Sequence, residues 1–387
     1  MPTAIDPRHR RLSRRGLLAG TAAFIGAGLC LRAGAAPVVP TASALHIVAA
    51  WSDATGHHHI GLIALKDAKA EGAQVLRSLP LPSRPHGLAC LPDGTVLAVA
   101  RRPGEWLLRW HPFGGTAGRR DAAQWLWADG DRRFSGHVTT PADGSSCYTT
   151  EVAGEDGQGW LVRRHSASLE VLEAWPTGGA DPHDMEWLAD GSLLVANGGI
   201  QALPETGRAK LSLARMNASL VQMHPNSGEV RGQWRLADPR LSIRHLCRRP
   251  NGSVGVALQA EHDEPAARAA APLLALFDPR APGLMPMAVV NAVSGYAANI
   301  ATAGGAWLLS CPREHRVQLL DAQGHLDHEL ALPSACAVVA DASSGAAWVL
   351  GGNMARRHDG GPTVRVLDRG GQFDNHAVAW PAGARVS

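Results

Sequence analysis

The chain has 387 residues, 45% apolar, 18% charged and 5% aromatic, with 43 glycines, 26 prolines and six cysteines. That excludes a disordered, collagen-like or disulfide-scaffold protein and leaves ample sequence for a large buried core. The formal charge is +3, but residues 1–35 hold six arginines against the single acid Asp6, and the remainder carries 31 basic and 33 acidic side chains, or −2. A nucleic-acid partner therefore has no electrostatic footprint.

The N-terminal segment reads as an address. Residues 8–15 are RHRRLSRR, Gly16 to Leu31 is an uncharged apolar run, and Ala33-Gly34-Ala35 is a small-x-small cleavage pattern. This layout predicts a secretory signal over residues 1–35, too short and too rich in Gly and Ala for a membrane span. Arg14-Arg15 after Ser13, with Leu17-Leu18 following, resembles the twin-arginine consensus. The expectation is a folded protein exported to the periplasm, its mature chain (residues 36–387) without a membrane span. Its cysteines, Cys90, Cys147, Cys247, Cys311 and Cys336, form neither a C-x-x-C pair nor a C-x-x-C-H haem signature, and they read as small buried hydrophobes.

Beyond residue 40 a module recurs: His, an apolar run, a tight turn, a second apolar run, then a polar loop. In chain order it appears at residues 86–104, 137–151, 183–199 and 245–259, with less faithful copies at 299–314 and 336–353. Asp-Gly and Asn-Gly between the runs predict hairpins with two-residue type I′ turns. The second runs predict strands at 45–51, 95–100, 146–151, 193–198, 253–258, 306–310 and 346–350. Seven such units, roughly fifty residues each, predict an all-β, single-domain, seven-bladed β-propeller of the WD40, YVTN or quinoprotein-like kind. Asn375-His376-Ala377-Val378 resembles Pro85-His86-Gly87-Leu88. The C-terminus is then either the innermost strand of the blade begun at Leu45 or the outermost strand of blade seven, and the match favours the first.

In a propeller, first-strand starts and second-strand ends gather at one face. That places His86, His137, His183, His245 and His376 at one channel mouth, as candidate ligands for iron, copper or another divalent metal. Structural hydrogen bonding between blades is the competing role for each histidine. The second-strand ends add Arg101, Arg102, Glu151, Asn197, Gln259 and Arg313 as candidate ligand-binding groups. Arg101 and Arg102 either clamp an anion or pair with Glu105 or another acid. The long interruption at 198–220 reads as a lid carrying Arg208 and Lys210.

Several stretches together resemble the family called domain of unknown function 1513: Arg101-Arg102-Pro103-Gly104, Phe134-Ser135-Gly136-His137, Pro182-His183-Asp184, Val195-Ala196-Asn197-Gly198-Gly199-Ile200, Thr206-Gly207-Arg208, Leu241-Ser242-Ile243-Arg244-His245-Leu246 and Asp374-Asn375-His376. Ala202-Leu203, Ser212 and Ala218 depart from its pattern, against a ligand role for the lid. The resemblance implies a twin-arginine-exported propeller linked to iron or haem, beside imelysin-like and di-haem thiol-oxidoreductase-like proteins, without an established activity.

Three functions are compatible with these residues. The first is a periplasmic propeller binding a metal or small metal-bearing ligand at the histidine mouth, accessory to iron or haem acquisition. The second is a metalloenzyme at the same mouth, either an oxidoreductase or a lactonase-like hydrolase in which Glu151 and Asn197 hold a cation that activates water. The third is a non-catalytic platform for protein partners.

Overall fold

Short apolar runs separated by tight turns form seven four-stranded antiparallel sheets. The computed structural model describes residues 44–66, 72–114, 123–153, 157–201, 213–287, 294–381 and 383–384, so the expected signal segment lies outside it. From the inner strand outward, blade 2 comprises Pro85–Cys90, Val96–Ala100, Trp106–Trp110 and Ala123–Trp127. Blade 3 comprises Arg133–Thr139, Ser146–Ala153, Gln158–His165 and Val171–Ala180, and blade 4 Pro182–Trp187, Leu193–Asn197, Ser219–Met223 and Val230–Trp234. Blade 5 comprises Leu241–Arg248, Val254–Ala260, Leu274–Phe277 and Leu284–Pro286, and blade 6 Asn299–Ala303, Ala306–Cys311, Arg316–Leu320 and Leu326–Ala331. Blade 7 comprises Ala335–Asp341, Ala346–Gly351, Met354–Arg357 and Thr363–Arg365.

Blade 1 takes strands from both ends of the chain. Gln372–Ala379 is its inner strand and pairs antiparallel with Ala44–Ser52, which is followed by His58–Lys66 and Ala73–Leu81. The ring is a single-domain, seven-bladed β-propeller closed by its C-terminal strand, the first of the two routes the sequence left open. No helix among the described residues is long and apolar enough to cross a membrane.

The second strands are apolar throughout because both of their faces are covered. Along Val96–Ala100, which is wholly buried, Leu97 and Val99 pack toward blade 3 while Val96, Ala98 and Ala100 pack toward blade 1. In Leu193–Asn197, Leu193 and Val195 face blade 3 while Leu194 and Ala196 face blade 5. This period of two sends alternate side chains to opposite neighbours. Among the described residues an apolar cluster fills each of the seven interfaces between blades. Each fully buried Val or Leu there contributes about 1.5–3 kcal/mol.

The hairpins fall where the Asp-Gly and Asn-Gly pairs place them, but their turns differ from the expected type I′. At Leu91–Thr95, the Gly94 N–H donates to Leu91 O at 2.9 Å and the Leu91 N–H to Thr95 O at 2.8 Å. Gly94 has φ +85°, whereas Asp93 stays at negative φ. This is a three-residue loop: a type I turn closed by one left-handed residue. The Asp93 carboxylate accepts the Thr95 N–H at 2.8 Å, an Asx bond that holds the aspartate in its ordinary conformation. The same bonds recur at Leu188–Ser192 and Arg249–Ser253.

A charged fork reinforces the closure. Arg84, at the entrance to blade 2, donates from Nε and Nη2 to the buried Asp374 carboxylate at 2.6 and 2.7 Å, joining positions 290 residues apart. Asp374→Asn keeps the shape and removes the charge. It should lower stability by about 1–2 kcal/mol, read as a lower denaturant midpoint at unchanged slope. An unchanged midpoint would show that the fork does not hold the ring shut.

Candidate metal centre

Inner-strand bulges aim five histidines at the axis. Pro85 pairs with Ala100 and Leu88 with Ala98, so His86 and Gly87 oppose Val99 alone. Pairing of Pro182 with Asn197 and of Met185 with Val195 sets His183 and Asp184 against Ala196. Pairing of Ile243 with Leu258 and of Leu246 with Val256 sets Arg244 and His245 against Ala257. His137 and His376 sit in wider irregularities, between Phe134 and Val138 and between Phe373 and Ala377. An extra residue bends the strand and redirects a side chain that regular alternation would send into a blade interface. Blade 6 has Asn299 in regular pairing with Ser310, and blade 7 has Cys336, whose thiol lies against the carbonyls of Leu350 and Asp374.

These buried imidazoles converge. One ligand-capable nitrogen from each of His86, His137, His183 and His245 lies within 4.8 Å of the other three. His183 Nε2 and His245 Nε2 are 3.1 Å apart, within the roughly 3.0–3.4 Å between adjacent ligands on one ion, from right-angled to tetrahedral, at metal–nitrogen distances of about 2.1 Å. Gly136 makes the approach of blades 2 and 3 feasible: its φ is +108°, and a Cβ there would stand 2.8 Å from His86 Cδ2.

The ring nitrogens are not equivalent. His137 Nδ1 faces Asp184 Oδ1 at 3.1 Å, a carboxylate–histidine pair that leaves Nε2 for the cluster. Burial pushes the Asp184 carboxyl up, but its interaction with His137 and the bond from the Leu246 N–H hold it below its ordinary value. The ring of His376 joins the cluster, 4.5 Å from His86 and 4.8 Å from His245 between centroids. However, its Nδ1 faces Asn299 Nδ2 at 3.0 Å, and that amide is oriented by its bond to Asn375 O at 2.8 Å. With Nδ1 accepting, neutral His376 carries its proton on Nε2 and presents an N–H rather than a lone pair. Four histidines therefore form the ligand-capable set, and the fifth stands beside it as a donor.

Burial first, then the neighbouring His376, His137 and His245, holds His86 well below the usual imidazole value. Burial and Arg244 do so for His183, and burial with His376 for His245. His376 is brought down to about 3, again mainly by burial. Neutral imidazole is the form that binds metal. The same burial strands ring nitrogens: His86, His183 and His245 Nδ1, and His137 and His376 Nε2, have no hydrogen-bond partner among the described residues.

Over the histidines lies a pocket of about 220 Å³, lined by His86, His183, His245, Arg101, Arg102, Arg244, Arg313, Gln259, Tyr296 and Asn375. Arg101, Arg102, Gln259 and Arg313 are thus brought to the histidine cluster. Arg102 pairs with a buried acid, Asp181. Glu151 and Asn197 are placed elsewhere. The Glu151 carboxylate accepts from Arg164 Nη2 and Thr149 Oγ1, both at 2.7 Å, and borders a different cleft. Asn197 donates to Thr177 O of blade 3 and to Ser219 Oγ of its own blade 4. A carboxylate already matched by a guanidinium is a poor cation ligand, so the oxygen-ligated hydrolase arrangement is not assembled. Arg208 and Lys210 lie outside the described residues. The five cysteines expected in the mature chain are unpaired thiols, and burial pushes Cys147, Cys311 and Cys336 up to about 12.

Sequence reasoning passed over Asp181, Asp184, Arg244, Tyr296 and Asn375 as site residues. Asp184, Arg244 and Asn375 adjoin the repeated histidines, and that adjacency was the available signal. What it lacked was the bulge, which turns two consecutive side chains toward one site.

The fold and this site define a seven-bladed propeller whose axis holds a buried histidine cluster compatible with metal binding. By sequence the chain belongs to the family described as "Protein of unknown function (DUF1513)", whose model matches residues 79–380. No curated protein resembles it in sequence. Similar solved structures include a functionally unknown protein from Desulfotomaculum acetoxidans (TM-score 0.57, 10% identity, 86% of this chain and 98% of that one). Hydrazine synthase from Kuenenia stuttgartiensis is also similar (0.55, 12%, 85% and 98%), as is a virginiamycin B lyase from Staphylococcus aureus (0.52, 10%, 75% and 87%). At these identities the likeness is one of fold.

The depressed imidazoles set a pH dependence for the metal-free protein. An unfolded chain protonates them near pH 6.5 and the folded chain does not, so stability present above pH 6.5 is lost as pH falls toward the folded values. Each such histidine contributes up to about 1.4 kcal/mol per pH unit in that window. Glu186, pushed up to about 7 by burial, acts in the opposite sense, but the imidazoles outnumber it. Denaturant midpoints should fall steeply between pH 6.5 and 5, and a flat profile would contradict the neutral, buried cluster.

Proposed function

We propose that His86, His137, His183 and His245 hold a first-row transition-metal ion, iron or copper foremost, with His376 as a neighbouring donor. The observation that supports this most is the convergence of four bulged, buried histidines on one point, each of which also carries a ring nitrogen without a partner among the described residues. A buried polar atom without a partner costs about 1–3 kcal/mol, and a purely structural role gives no return for several such atoms in one place. An all-nitrogen donor set suits iron, copper or zinc. Asp184 behind His137 is the outer-shell carboxylate that raises ligand basicity and fixes a ring.

The pocket volume narrows what is bound. At about 220 Å³ it is below the roughly 300–1,000 Å³ of sites for drug-sized ligands, so it suits an ion with a small co-ligand better than a macrocycle. Arg14-Arg15 and the apolar run after them support export to the periplasm by the twin-arginine route, with the metal loaded before export. We place the protein there in iron acquisition, alongside imelysin-like and di-haem thiol-oxidoreductase-like partners. A metalloenzyme of the oxidoreductase kind would use the same ion.

Elemental analysis of protein from the periplasm should find about one metal per chain. His183→Ala together with His245→Ala should weaken binding of iron(II) or copper(II) by at least about a hundredfold, read by competition titration. His86→Leu should leave the metal-free melting temperature equal or higher, because it removes a stranded buried imidazole. Metal-free protein that binds neither ion, or a clear drop in melting temperature for His86→Leu, would assign the histidines to structure.

A further inference from the structure

We propose that the pocket over the histidines is a binding site for a small anion carrying carboxylate or phosphate oxygens, placed to share the metal's coordination. This rests on the metal reading for the shared coordination, but not for anion binding itself. Four guanidinium groups line the space, and among the described residues no carboxylate does.

They reach it from three blades. Arg101 and Arg102 follow the second strand of blade 2, Arg244 sits in the blade 5 bulge beside His245, and Arg313 lies in the short turn Pro312–Glu314 after the second strand of blade 6. Two are fixed from behind. The buried Asp181 carboxylate accepts from Arg102 Nη1 through Oδ1 and from Arg244 Nη1 through Oδ2, the latter at 2.7 Å, so one negative charge positions two positive ones. Arg313 lies with its guanidinium carbon 4.6 Å from the Tyr296 ring centroid, and it forms no ion pair among the described residues. That stacking fixes the plane of the fork. The Tyr296 hydroxyl accepts from Asn375 Nδ2 at 3.3 Å, which holds the phenol at the pocket wall.

Preorganised, planar guanidinium forks match the oxygens of carboxylate and phosphate. Electrostatics favours the same occupant. A metal cation beside these arginines is repelled by the guanidinium charge that Asp181 does not offset, and imidazole ligands add no negative charge of their own. An anion between the arginine forks and the ion satisfies both.

Isothermal titration with oxalate and with inorganic phosphate, on metal-free and on metal-loaded full-length protein, tests this. Metal-free wild type should bind one equivalent of at least one of them, and Arg313→Gln and Arg101→Gln should each weaken that binding about tenfold. A preference for oxalate assigns the site to carboxylates, and a preference for phosphate assigns it to phosphate groups. With metal in place the preferred anion should bind at least about tenfold more tightly. No heat or competition with either anion at about 10 mM, or binding that neither variant changes while both retain the wild-type circular dichroism spectrum, would overturn the proposal. The metal reading is judged separately, by titration of the ions without added anion, so a chain that takes the anion but no metal loses only the shared coordination.

Discussion

The antiparallel pairing of Gln372–Ala379 with Ala44–Ser52 is the constraint on which the rest depends. Each sheet has two apolar faces and can bury them only against its neighbours, so the stack is satisfied only when it returns to its start. Closure also fixes the axis. It carries His376 into contact with His86 and His245, and it brings Asp374 to Arg84 across the seam. The site is therefore a consequence of the ring, with no single blade holding enough of it to act alone.

At the axis, inner strands approach so closely that side chains pointing inward must share one small space. Most propellers could fill it with small or apolar groups. Here the bulges fill it with imidazoles, and burial keeps four of them uncharged. Neutral rings tolerate each other's proximity, but their stranded nitrogens make the arrangement costly for a protein that only needs to fold. Proteins place such costs at functional sites and compensate elsewhere, and the seven apolar interfaces provide the compensation. The arginines extend the same logic: Asp181 absorbs part of their repulsion and leaves a region of positive potential next to a set of cation ligands.

Much of this was legible in the sequence because both the ring and its mouth are periodic. The recurrence of His before an apolar run located the inner strands, and the runs after Asp-Gly and Asn-Gly located the second strands to within two residues. The likeness of Asn375-His376 to Pro85-His86 even pointed to the closing strand. Features that depend on backbone irregularity were not legible. Nothing in the residue pattern marked a bulge, so Asp184 and Arg244 read as ordinary neighbours of a histidine. The turn type was misjudged for a related reason: the Asp93 side chain bonds the backbone locally and removes the need for a second left-handed residue. Glu151 and Asn197 stood at the right places along their strands, but Arg164 and Ser219 bind them within the blades, and such partners are visible only in three dimensions.

X-ray absorption on protein loaded with one equivalent of iron(II) or copper(II) reports the atoms around the ion, and so whether the axial histidines hold it. The expected result is a first shell dominated by nitrogen at about 2.0–2.1 Å, the range known for histidine ligation, with the outer-shell scattering of several imidazole rings. A shell of oxygen alone, without imidazole scattering, would contradict it.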